Sequence, residues 1–159
     1  MKRLPCIIAR QAQAGSVAVE AACCMAFILL PLFAIVFIFG NFFWYYSAAQ
    51  RAVHDAALYM SGAPLAEVKN KGADALAADI VDQETADIRP TASVDSSIEC
   101  GYSPANSTFI VYRVCSAAET PVAVQATMLL TIPQPFFSNF LGTDSITILV
   151  FSQMPYVGK

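Results

Sequence analysis

The stretch EAACCMAFILLPLFAIVFIFGNFFWYYSAAQR, residues 20–51, decides how the rest of the chain is read. Between Glu20 and Arg51 lie thirty residues without Asp, Glu, Lys, Arg or His. Thirty helical residues rise about 45 Å, against roughly 30 Å of bilayer hydrocarbon. The pattern predicts one transmembrane helix with turns to spare. A cleaved secretory signal is the competing reading, since Lys2, Arg3 and Arg10 form a positive head. Such signals carry an apolar core of about 7–15 residues that ends in small residues. This run is far longer and ends in the aromatics of GNFFWYYS, residues 40–47. A lipoprotein reading of Cys23 or Cys24 fares worse still, because Glu20 stands upstream and the apolar segment follows the cysteines.

Composition agrees. The 159 residues are 57% hydrophobic and 13% charged, where about 45–50% and 25% are usual. That length suits one small domain plus an anchor. Residues 1–15 carry three basic groups and no acid, whereas residues 16–159 carry six basic and twelve acidic groups. Basic residues stay on the cytoplasmic side, so the N-terminus is expected in the cytoplasm and everything past about residue 50 outside the inner membrane. An acidic exported domain offers no footprint for nucleic acid.

Beyond the apolar run, SAAQRAVHDAALYMSG (47–62) continues the helix, with Ala48, Ala49, Ala52, Ala56 and Ala57 as a small-residue stripe. Gly62 and Pro64 are its stop signal. PLAEVKNKGADALAADIVDQE (64–84) reads as an amphipathic helical segment using Leu65, Val68, Leu76, Ile80 and Val81, with a break near Gly72. TADIRPTASVDSS (85–97) reads as a loop. The period then changes to two: STFIVYRVC (107–115), PVAVQATMLLTIP (121–133) and SITILVFSQM (145–154) predict antiparallel strands, with a fourth candidate at SVDSSIEC (93–100). Helices first and strands later make an α+β fold. The predicted segments are a basic leader at 1–15, a transmembrane helix and its extension at 16–62, and an exported α+β domain at 63–159.

The connection QPFFSNFLGTD (134–144) is unusually apolar. Phe136, Phe137, Phe140 and Leu141 either tuck under the sheet or form an exposed contact for a partner or for the membrane surface. Of the five cysteines, Cys100 and Cys115 lie in the exported part, either bridged, as an oxidising compartment favours, or as two buried thiols. No nucleophile elbow, phosphate loop, HExxH or paired-carboxylate arrangement occurs. With one histidine, His54, general-base capacity near neutral pH is small. Neither an enzyme nor a metal or cofactor site is expected. Asn106-Ser107-Thr108 fits a glycosylation sequon, a three-residue pattern frequent by chance.

The stretch AGSVAVEAACC (14–24) is more specific. A cut between Gly15 and Ser16 makes Glu20 the fifth residue of a chain that begins with its hydrophobic helix. This resembles the prepilin site of type IV pilins. The opening Gly15–Ala22, the Leu30-Pro31 pair, the extension Ala48–Tyr59 and the terminal Ser152-Gln153-Met154 together resemble the TadE-like family of the tight-adherence (Flp) pilus system. RAVHDAALY departs from the family's extension, which often carries a basic and a glycine position. Ala21 stands where the major Flp pilin has Tyr after its Glu, which favours a minor pilin or pseudopilin over the main filament subunit.

The resemblance implies a structural subunit. Prepilin peptidase would release residues 1–15, and partners would be other pilins or pseudopilins and the inner-membrane assembly platform. A carboxylate inside a bilayer costs about 2.5–3.5 kcal/mol on insertion scales, so such groups are usually paired. The resemblance supplies a partner: the new amine of Ser16 on a neighbouring subunit. Glu20 at headgroup level, where it costs little, is the plainer alternative. For the whole chain the alternative is an unprocessed bitopic membrane protein whose exported domain binds a ligand or assembly partner.

Overall fold

In the computed structural model, residues 9–104, 109–133 and 144–158 are described, with side chains described from Val17 onward. The elements run α1 (Ala9–Gly62), α2 (Leu65–Lys69), α3 (Gly72–Glu84), β1 (Ser93–Tyr102), β2 (Val111–Arg113), β3 (Ala123–Pro133) and β4 (Ser145–Pro155). The α+β plan is correct. By contacts the chain divides into one unit ending at Phe43 and a second beginning at Trp44.

In the first unit, α1 is long and apolar enough to cross a membrane. Residues 17–37 are all exposed, including Phe27, Ile28, Leu30 and Phe37. So much apolar surface on every side of a helix suits lipid or other helices, not water. Pro31 lies inside the helix, a position membrane helices tolerate better than soluble ones.

The second unit is built on the last turns of α1. Tyr45, Ala49, Ala52, Val53, Ala56 and Met60 are buried, a spacing of three and four that makes one helical stripe. They share a core with Val124, Ala126, Met128, Leu130 and Ile132 of β3 and with Val81 of α3. Alanines on the stripe let the helix backbone come close to its neighbours, which larger side chains would prevent. Gly62 ends α1 and Pro64 follows it, in the order the stop signal requires.

The 64–84 segment is interrupted near Gly72, as expected, and forms two helices. The chain breaks at Lys71, which adopts φ 59°, and Gly72 opens α3. The buried face of α3 is Ala73, Ala77 and Val81, whereas Leu76, expected inward, is 52% exposed. Leu76 sits about 100° around the helix from Ala77, so the small-residue face won and leucine went to the outside. Ile80 and Leu65 are half-buried.

The sheet has order β2-β1-β3-β4, and all its neighbours are antiparallel. β1 is the fourth candidate strand, and it takes residues 93–97 out of the predicted loop. β3 alternates as read: Val124 to Ile132 point inward on even numbers, with Gln125, Thr127 and Thr131 on the other face. Val122, which the two-residue period of 121–133 would put inward with Val124, lies before the strand and is 45% exposed. β2 is only three residues of the predicted 107–115 segment. Arg113 pairs with Cys100 in register, yet Cys115 is disulfide-bonded to the same Cys100. The chain must turn back immediately after Arg113, which ends the strand.

Candidate functional site

The site the sequence singled out lies at the start of α1. The backbone at Gly15, Ser16 and Glu20 is helical. Ser16 and Glu20 are four residues apart, one turn, and therefore on one side of the helix. Glu20 is exposed and makes no hydrogen bond or ion pair among the described residues. An unpaired carboxylate at the threshold of thirty uncharged residues has two low-energy options: the headgroup layer, or a cation brought by another chain. Cys23 and Cys24 follow as free, exposed thiols.

Cys100 and Cys115 are joined, with their Cα atoms 4.9 Å apart. The bridge ties β1 to the segment after β2, and Tyr102 reinforces it by accepting a 2.7 Å hydrogen bond from the Ser116 backbone N–H. The Arg113 guanidinium stacks 4.7 Å over the Tyr102 ring and pairs with Glu119. That hydrogen bond and charge hold Arg113 even more firmly protonated than usual. These contacts lock the β1–β2 end together; they are structural, and the arginine is occupied.

Phe136, Phe137, Phe140 and Leu141, and the Asn106-Ser107-Thr108 sequon, lie outside the described residues. Among the described residues no group of three or more His, Cys, Asp or Glu side chains converges. An open recess of about 420 Å³ is lined by Arg89, Thr91, Ser93, Thr131 and Ser145 among others. Arg89 there is paired with Asp82.

Sequence reading missed three contacts of the second unit. Tyr45 Oη lies 2.6 Å from Thr91 Oγ1, and Tyr156 donates to the Ala63 carbonyl at 2.8 Å. The backbone N–H groups of Val157 and Gly158 both donate to the Ser61 carbonyl. The last two close the end of α1, where helix carbonyls lack intrahelical partners. Nothing in local sequence signals a pairing across 93 residues.

Comparison with known proteins gives a single kind of match. Residues 15–58 match the family described as TadE-like protein. The match begins at Gly15 and covers Glu20, the apolar run and most of the stripe. No curated protein and no solved structure matches the chain.

Proposed function

Residues 15–58 carry the TadE-like signature, as in proteins related to tight-adherence pili, and from that premise we propose that the chain is a minor pilin or pseudopilin of such a pilus. A prepilin peptidase cuts it between Gly15 and Ser16. It is held in the bacterial inner membrane by α1 with its C-terminal domain in the periplasm, and it joins other pilin-like subunits at the assembly platform in the service of surface adhesion. The observation that carries this reading is Glu20, without a hydrogen-bond or ion-pair partner among the described residues, five residues beyond Gly15 at the edge of an uncharged helix. The carboxylate then meets the Ser16 amine of a neighbouring subunit, an ion pair formed where water is scarce and unpaired charge is costly.

Mass spectrometry of the protein from its native membranes tests the processing step. A mature chain beginning at Ser16 is expected. A pool that starts at Met1 throughout would overturn the pilin reading in favour of an unprocessed bitopic protein. Gly15 and Glu20 then separate by variant. A bulky residue at Gly15 blocks cleavage and leaves full-length protein. Glu20→Ala is still inserted and at least partly cleaved, while its co-purification with assembly components falls. Normal assembly of Glu20→Ala would reduce the carboxylate to an interfacial residue.

A further inference from the structure

Where α1 enters the second unit it has two faces. Tyr45, Ala49, Ala52 and Val53 are buried in the domain core. On the other side Trp44, Ser47, Ala48 and Arg51 enclose an open recess of about 180 Å³. Their spacing of three, four and seven residues puts them on one stripe. Ala48 forms a shallow floor, half-buried, and Trp44 is 50% exposed at the lower wall. Arg51, at the upper wall, is exposed and has no ion pair or hydrogen bond among the described residues. The Ser47 hydroxyl is already donating to the Trp44 carbonyl at 3.0 Å, so the free donors of the recess are those of the guanidinium.

We propose that this recess is a binding site for the phosphate of an anionic phospholipid headgroup, with Arg51 as the phosphate ligand and Trp44 packing against the glycerol and upper acyl chain below it. The proposal rests on the membrane-span reading of α1. Three observations meet here. Arg51 is the first charge after Glu20 and closes a run of thirty uncharged residues, a length ample for the roughly 30 Å of bilayer hydrocarbon. Arg51, the charge that closes this run, stands in the headgroup layer on the exported side. Trp44, two turns below Arg51 and about 10 Å deeper, then lies at the hydrocarbon boundary, where amphipathic rings collect. Finally, the planar guanidinium fork matches a phosphate's paired oxygens, and the face it occupies is the one the domain leaves uncovered.

Trp44 is the sole tryptophan, so its fluorescence reports this recess alone. The full chain would be reconstituted in bilayers of phosphatidylcholine containing a fixed small fraction of either phosphatidylglycerol or phosphatidylcholine brominated on its acyl chains. Brominated phosphatidylglycerol is expected to quench Trp44 as though enriched about five-fold around it, the factor for one basic side chain at an anionic surface. Arg51→Gln is expected to bring the two lipids to equal quenching, and Arg51→Lys to restore most of the difference. Non-reducing mapping of the Cys100–Cys115 bridge would confirm that each variant has folded. Equal quenching by both lipids in the unaltered chain, or a preference unchanged in Arg51→Gln, would overturn the site while leaving the membrane helix intact. Absence of quenching by either lipid would instead overturn the span itself. Inorganic phosphate added to wholly zwitterionic bilayers is expected to leave Trp44 emission unchanged; a shift would assign the recess to a soluble phosphate and overturn the lipid source. If Arg51→Gln abolishes subunit co-purification while lipid preference is equal in both proteins, the occupant is a carboxylate of another subunit and the proposal falls.

Discussion

Gly158 stands where no side chain fits. A Cβ there would run into the Ala63 carbonyl oxygen and the Tyr156 ring, and the residue's N–H is one of two that close the Ser61 carbonyl. Gly158→Ala should therefore release the C-terminal strap from the end of α1. The loss of one or two backbone hydrogen bonds implies a cost of about 1–3 kcal/mol, readable as a lower midpoint in denaturant unfolding. Asp74 is a second residue with a legible consequence. Its Oδ1 is buried without a hydrogen-bond partner, and burial pushes its carboxyl above the ordinary value of 3.8, partly offset by Lys71. The folded chain thus holds this proton more tightly than the unfolded one. The linked stability is fully present below 3.8 and is lost as pH climbs through the raised folded value. Thermal midpoints measured across that acid range should show this decline in the unaltered domain and not in Asp74→Asn. Neither residue declared itself in sequence: Gly158 looks like a terminal glycine, and Asp74 like a solvated helix-start carboxylate.

At the scale of elements, the alanine stripe of α1 was visible in sequence, but its partner was not. A small-residue face on a membrane-proximal helix suits a second helix as well as a sheet; in this fold Ala49, Ala52, Ala56 and Ala57 are absorbed by the domain's own core. Ala52→Leu should overpack that contact and destabilise the domain by about 1–3 kcal/mol. Leu58→Gln, at a position 56% exposed, should shift stability by no more than about 0.5 kcal/mol. Chemical unfolding followed by near-ultraviolet circular dichroism separates the two. The β1–β2 end depends on its bridge. Replacing Cys100 and Cys115 together by serine removes a closed loop whose chain-entropy contribution is about 3 kcal/mol, and the unfolding midpoint should fall accordingly. Strand β2 was overestimated because FIVYRV (109–114) has strong strand propensity throughout, while a covalent tie two residues past Arg113 ends the pairing.

For the whole molecule, the charge asymmetry between residues 1–15 and the rest predicts an N-terminus in the cytoplasm. A reporter active only in the periplasm, fused after Lys159, should be active; an inactive fusion would reverse the orientation. By itself the sequence determined the long apolar helix, the change from helical to strand periodicity, and the Gly15–Glu20 spacing. These depend on local order and composition, which survive without tertiary context. Only the tertiary structure decided that Leu76 faces out while Ala73 and Ala77 face in, that Gly158 and Tyr156 close the end of α1, and that Trp44 and Arg51 lie on its uncovered face. Each depends on which surface a distant segment occupies, and burial is a property of that packing, not of the residue or its neighbours in the chain.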